Sequence, residues 1–366
     1  MNTPGPSLLS RSRAAVAGLF VLASPLVTTP AAEPAPARLL ERTNLLVYLN
    51  DLGQPEPIQT VADWPKRRAA ILAAMQQVMG PLPGRERQCP LDMQVTHQTD
   101  GGEFFCRAIT YASEPGSRVP AYLLVPKEVI TRGAVVPAVL ALHQTHPAGN
   151  KVVVGLGASP DDEYGVALAR HGYAVLAPAY PQWANYWPDL KKLGYQSGTM
   201  KAIWDNRRGL DLLASLPWVK TNGFGVIGHS LGGHNGIFTA VFDERLKVVV
   251  SSCGFDSFRD YMDGNIKGWT QERYMPKLRD HPLAEIPFDF PELLGALAPR
   301  ACFISAPLGD TNFKWRSVAA VVAAARPVYQ LHRRPQNLML EQPDCGHLFP
   351  ADLREAAYRL LDAHLK

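Results

Sequence analysis

One stretch, Gly223-Phe224-Gly225-Val226-Ile227-Gly228-His229-Ser230-Leu231-Gly232-Gly233-His234, limits what this chain can fold into more than any other. An apolar run through Val226 and Ile227 ends in Gly228. Ser230 follows two residues later, and Gly232 and Gly233 lead into a helix-compatible segment. A G-x-S-x-G sequence between a strand and a helix is a nucleophile elbow. A serine forced onto so tight a turn holds its hydroxyl in the open. The backbone there crosses itself closely, so the positions two before and two after the serine must lack bulk. The helix behind the turn points unpaired N–H groups at any anion formed in front of it, which makes the Leu231 N–H an oxyanion donor. The plainer reading is a strand–glycine turn–helix connection that merely packs tightly.

An elbow needs a strand before it and a helix after it, and the chain from about 135 onward repeats that alternation. Upstream, Met93, Val95, Phe104, Phe105 and Ile109 bracket the turn Asp100-Gly101-Gly102, and residues 119–125 form a further strand. Residues 134–142 are continuously apolar, as in a strand buried on both faces. A helix (161–170), a strand (173–177), an aromatic loop with Trp183, Tyr186 and Trp187, and a helix (200–216) lead to the elbow. After the elbow helix come strands at 247–251, 300–306 and 338–340. A helix at 315–326, stopped by Pro327, and a last helix at 351–365 separate and close them. The pattern predicts the α/β class: a mostly parallel sheet with helices on both faces and antiparallel strands at its start. Residues 254–290 break the alternation and read as an insertion over the active-site edge after the sixth core strand.

A serine hydroxyl is a weak nucleophile at neutral pH and needs a histidine base, itself held by a carboxylate. In this arrangement the chain order is nucleophile, acid, histidine. His347, in Asp344-Cys345-Gly346-His347 between the last strand and the last helix, is the expected base. Asp310, behind Gly309 past the strand at 300–306, is the expected acid, with Asp256 as its rival one strand earlier. The second oxyanion donor is expected from the loop after 134–142, at the Gln144 N–H with Thr145 next, and His143 bracing that loop. Trp183, Tyr186, Trp187, His234 and Trp269 are the candidates for the substrate pocket, and they serve equally well as packing residues. His143 and His146 lack a third ligand nearby, so no metal and no cofactor is expected.

The ends of the chain suggest its destination. Arg11 and Arg13 precede an apolar run from Ala14 to Val27, and Ala35-Pro36-Ala37 or Ala31-Ala32 offers a cleavage site. Residues 1–37 thus read as an export signal, with an uncleaved anchor as the alternative, and the mature protein as periplasmic or secreted. Residues 38–90 read as a helical arm, with a short helical piece at 39–52 and an amphipathic helix at 64–79. Residues 91–366 form the catalytic domain. A formal charge of +4 gives no reason to expect a nucleic-acid partner. No later run is long enough for a stable membrane span, and the oligomeric state is left open. Five cysteines are too few for a disulfide framework, with Cys89 and Cys106, flanking a hairpin, the one candidate pair.

The motif at Gly228–Gly233 and the phrase Val119-Pro120-Ala121-Tyr122-Leu123-Leu124-Val125-Pro126 resemble the α/β-hydrolase superfamily over roughly 105–366. Within it the chain is similar to the secreted branch near dienelactone hydrolases, acetyl-xylan-type esterases and prolyl-oligopeptidase-like domains. The resemblance implies a Ser230–Asp310–His347 triad, an acyl-serine intermediate and a small-molecule or carbohydrate-linked ester as substrate. It departs from dienelactone hydrolases in using serine where they carry cysteine. It departs from many esterases in having His143-Gln144-Thr145 in place of His-Gly-Gly. A serine peptidase or amidase, and a silent binding protein on the same fold, are the competing readings.

Overall fold

The computed structural model describes residues 39–366 apart from Ala158, together with Met1, so the expected export signal lies, beyond Met1, outside the described residues. The chain begins with a small antiparallel pair, β1 (Val47–Leu49) and β2 (Pro55–Pro57), followed by helix α1 (Trp64–Met79). Three antiparallel strands come next: β3 (Gln94–Asp100), β4 (Phe104–Glu114) and β5 (Ser117–Pro126). A short helix α2 (Lys127–Arg132) leads to β6 (Ala138–Leu142), α3 (Tyr164–Arg170), β7 (Ala174–Pro178) and α4 (Gly198–Ser215). The second half runs β8 (Phe224–His229), α5 (Leu231–Phe242), β9 (Leu246–Ser252), α6 (Phe290–Leu297) and β10 (Ala301–Ser305). It closes with α7 (Trp315–Leu331), β11 (Leu338–Glu341) and α8 (Ala351–Leu365).

Strands β3 to β11 make one nine-stranded sheet in the order β11-β10-β9-β8-β6-β7-β5-β4-β3. From β7 to β11 every pairing is parallel, whereas β3, β4 and β5 pair antiparallel with one another and β5 with β7. Helices cover both faces, which explains why β6 and β7 are apolar at every position. Successive side chains of a strand point to opposite faces. Ala138, Leu140 and Leu142 of β6 accordingly join one buried cluster with α1, α4, α5, α6 and α7, while Val139 and Ala141 join another with α3 and α8.

Several expectations are corrected. Residues 39–52 hold strand β1 rather than a helix: Tyr48 and Glu56 face each other across the β1–β2 pair, with the tyrosine hydroxyl on the carboxylate at 2.7 Å. Pro327 does not end α7. It lies inside the helix, where buried Val328 and Tyr329 keep the last turn packed on the core. Helices α2 and α6 are additional; α6 opens with a capping box between Asp289 and Glu292. All five cysteines are free thiols, Cys89 and Cys106 included.

The arm is part of the same compact unit as the sheet. Trp64, Ile71, Met75, Val78 and Met79 of α1 are buried in the main cluster, and Arg67 meets Glu292 of α6 at 2.8 Å. Residues 254–290 contain short 3-10 turns and no α-helix before Phe290. Their Phe255, Phe258, Trp269 and Phe288 are buried, with Phe255 stacked on Phe290 at 4.6 Å. Among the described residues, no helix is long and apolar enough to cross a membrane.

Candidate active site

The parallel strands all end on one edge, and the connection from β8 to α5 is the tightest there. Ser230 has φ 54° and ψ −117°, a left-handed conformation that costs a residue with a side chain about 1–3 kcal/mol. The glycines explain how the strain is accommodated. A Cβ on Gly228 would lie 2.3 Å from the Gly232 backbone, and one on Gly232 would lie 1.9 Å from the Leu142 carbonyl oxygen. The Ser230 N–H donates to the Ser252 carbonyl at 2.8 Å, tying the turn to the end of β9. Leu231 is the first residue of α5, so its N–H precedes the helix's own bonding ladder and is free for an anion.

The loop after β11 carries His347. Its Nδ1 donates to Asp310, 3.0 Å from Oδ1 and 2.9 Å from Oδ2. Asp310 also accepts the N–H groups of Asn312 at 2.7 Å and Phe313 at 3.2 Å. Burial opposes the Asp310 charge, but the hydrogen bond and charge of His347 and these two N–H groups outweigh it and hold the carboxyl below its ordinary value. The rival Asp256 makes no bond to His347. It is fully buried, accepts the Lys314 N–H at 3.0 Å, and leaves its other oxygen without a partner among the described residues. Burial pushes its pKa up to about 7.

His229, the residue before the serine, supports the histidine loop. Its ring lies 4.9 Å from that of His347, and its Nδ1 is 3.1 Å from Ser252 Oγ. Burial, then the neighbouring His347, lowers its pKa to about 3, so it stays neutral. His143 braces the loop after β6. Its Nε2 accepts the Tyr180 N–H at 3.1 Å, so the proton sits on Nδ1, which donates to the Gln144 carbonyl at 2.8 Å. Burial lowers its pKa to about 4.

Ser230, Leu231, His234 and Trp269 line one pocket of about 70 Å³ together with Thr145, Tyr261, Tyr274 and Phe313. The Phe313 ring is 6.0 Å from that of His347, which places the Asp310–His347 pair beside this pocket. Thr145, rather than Gln144, is the loop residue in the lining. Gln144 is buried, and its side-chain oxygen has no partner among the described residues. Trp183, Tyr186 and Trp187 are not in the lining. Tyr186 is buried with its hydroxyl on Asp205 at 2.9 Å, Trp183 donates to the His146 carbonyl at 2.8 Å, and Trp187 is 67% exposed. Tyr261, Tyr274 and Phe313 were missed because two lie in the aperiodic insertion and the third in a loop. A larger cavity of about 370 Å³, bordered by Leu39, Arg42, Ser257 and Val321, contains none of the candidate residues.

Among the described residues, Cys253, Asp310 and His347 form the one cluster of metal-ligating types, with ligand atoms within 4.8 Å of one another. Asp310 and His347 are already bonded to each other, and burial pushes the Cys253 thiol well up, so the cluster offers no ready thiolate.

No family model matches the chain. It is 24% identical over 316 residues to the Bacillus subtilis (strain 168) protein named "Putative hydrolase YtaP", covering 81% of this chain and 100% of that one. Its structure is similar to a glucuronoyl esterase from Solibacter usitatus, with a TM-score of 0.68 and 18% identity over 90% of this chain and 99% of that one. It is also similar to a CE15 glucuronoyl esterase from Teredinibacter turnerae T7901, with a TM-score of 0.62 and 18% identity over 91% and 93% of the two chains. With these likenesses, the strand order and the elbow after β8, the chain has the α/β-hydrolase fold.

Proposed function

We propose that this protein is a serine hydrolase of carboxylic esters. The observation that carries the reading is the Asp310–His347 pair, bonded through Nδ1, beside a pocket whose lining includes the strained elbow serine. With Nδ1–H committed to Asp310, the other ring nitrogen, Nε2, carries the lone pair a base needs. Ser230 Oγ attacks the ester carbonyl carbon as His347 takes its proton. The tetrahedral oxyanion is stabilised by the Leu231 N–H and a donor from the loop at Gln144 and Thr145. Collapse breaks the bond to the alcohol, which leaves with the proton from His347. Water, deprotonated by His347, then attacks the acyl-serine, and the acid departs as Ser230 recovers its proton.

The esterase names of the similar structures support an ester over an amide. The pocket of about 70 Å³ favours a short acyl group, on a small-molecule or carbohydrate-linked alcohol. The basic start and apolar run of residues 1–37 support export to the periplasm or medium, and the intact mass of the exported protein reads the cleavage.

The test compares wild type with Ser230→Ala on p-nitrophenyl acetate, butyrate and octanoate. Turnover should be fastest on acetate and fall by about 10³-fold or more in the variant. A fluorophosphonate should label Ser230 and no other residue. Equal hydrolysis by both proteins would overturn the proposal.

A further inference from the structure

The fold gives its other part-buried arginines acceptors, Arg300 through the Leu297, Asp243 and Leu246 carbonyls and several through carboxylates. Arg42 and Arg67 meet Glu292, Arg87 meets Glu114, and Arg245 meets Asp243 and Asp211. Arg273 differs. Its guanidinium has no carboxylate or carbonyl acceptor among the described residues, its buried Nε included, whereas Arg67 and Arg208, which also leave Nε unused, bind carboxylates through their other nitrogens. The side chain is nevertheless held in place. Its guanidinium carbon lies 4.6 Å from the centre of the Trp183 ring and 5.0 Å from that of Tyr274. Stacking on ring faces fixes the plane of a guanidinium while leaving its N–H edges free for a partner in that plane.

The backbone is fixed as well. The carbonyls of Glu272 and Tyr274 accept the Gly198 and Thr199 N–H groups at the start of α4, at 2.9 and 3.2 Å. The Arg273 carbonyl accepts the Tyr180 hydroxyl at 2.8 Å. A Cβ on Gly198 would sit 2.3 Å from that same carbonyl oxygen, so the glycine is what lets the segment approach. An unpaired charge held from both sides is a recognition element made ahead of its ligand.

Its position indicates which ligand. Tyr274, one of its two stacking partners, lines the pocket of Ser230. Arg273 is not in that lining, and Trp183, the other partner, is not either. Arg273 therefore adjoins the pocket through Tyr274 while lying outside its lining. Among the described residues, His234 Nε2 and Trp269 Nε1, on residues that line the pocket, are buried without partners and add polar sites to it.

We infer that Arg273 is an anion-recognition residue at the rim of this pocket, and that the substrate is a short-acyl ester whose alcohol part carries a carboxylate. The inference rests on the ester-hydrolase reading. A carboxylate matches the guanidinium edge through two parallel hydrogen bonds, which a neutral alcohol cannot supply.

The test uses 4-acetoxybenzoate and its methyl ester, which differ in charge and share the acetyl group. The ratio of kcat/KM for the charged over the neutral ester should fall by at least about tenfold in Arg273→Gln, the scale of one charge-assisted pair. Arg273→Lys should restore part of it. An unchanged ratio in Arg273→Gln overturns the inference. Binding of the product 4-hydroxybenzoate to Ser230→Ala, measured by calorimetry, involves no turnover. Its Kd should rise about tenfold or more when Arg273→Gln is added. If wild type turns over neither ester, the hydrolase reading fails and binding alone decides: weakened binding keeps the anion site, and equal binding removes it.

Discussion

Replacing Asp310 with Asn tests the triad most sharply, because the structure dictates which way the amide must face. Asp310 Oδ1 accepts the N–H groups of Asn312 and Phe313 and also lies 3.0 Å from His347 Nδ1. Asn has one acceptor oxygen, and the two loop N–H groups claim it. The NH₂ then faces Nδ1, which must become an acceptor, so the ring proton moves to Nε2. In that tautomer His347 cannot take the Ser230 proton, and the negative charge that would steady the imidazolium is gone as well. The same two losses in a serine triad cost about 10⁴ in kcat, or roughly 5.5 kcal/mol at 1.36 kcal/mol per tenfold. The Asn side chain keeps the shape and the loop bonds, so the thermal midpoint should move little. The assay is kcat on p-nitrophenyl acetate at pH 7 beside Asp256→Asn as a control. Asp256 does not touch His347, and its replacement should leave kcat within about threefold of wild type. Should Asp310→Asn retain a tenth of the activity while Asp256→Asn loses it, the assignment of the acid would be wrong.

Asp256 has its own consequence for stability. Its folded pKa of about 7 lies above the ordinary carboxylate value of 3.8. Between those values the folded state holds a proton the unfolded chain has lost, so stability falls as pH rises through the window, by at most about 4 kcal/mol. Asp256→Asn should therefore stabilise the protein more at pH 8 than at pH 5, by at least about 1 kcal/mol; parallel urea midpoints at the two pH values would contradict this. Gly232→Ala drives a methyl into the Leu142 carbonyl, so it should abolish esterase activity and lower stability by about 3 kcal/mol or more. Normal activity in that variant would mean the elbow can open. Lys201, fully buried, contacts Asp205 at 2.6 Å, Glu114 at 2.9 Å and Ser113 at 3.0 Å. Lys201→Met leaves buried Asp205 without its cation, while Glu114 keeps Arg87, and should cost about 3 kcal/mol or more in urea unfolding at pH 7, and a loss below about 1 kcal/mol would show that other partners suffice.

The parts legible in the sequence are those whose chemistry is local. The elbow could be read because Gly228, Ser230 and Gly232 lie within five residues and each is required by the turn itself. The parallel strands could be read because burial on both faces leaves no polar position in 138–142 or 224–228. Helices α1 and α8 match the expected residues because their apolar faces are regular. Other parts depend on distant neighbours. β1 exists because of its pairing with β2, and α7 continues through Pro327 because its far end is packed. Arg273 carries no signal of its own: its significance comes from Trp183, ninety positions earlier, and from the start of α4. The second oxyanion donor is expected at the Gln144 N–H with Thr145 next; of the two, Thr145 lines the pocket, and a loop of His, Gln and Thr does not encode which residue does so.

The docking of α1 determines when the pocket can exist during synthesis. Arg67 finds its carboxylate only at Glu292, and Ser197, which caps α4 beneath Arg273, holds the Met79 carbonyl at 2.7 Å. The first helix therefore waits for more than two hundred further residues before its buried face is covered. Contacts that close such long loops form late and slowly. A nascent chain stays without a finished site until almost all of it has been made, and a shortened version starting at the sheet would lack the piece that holds α4 from below.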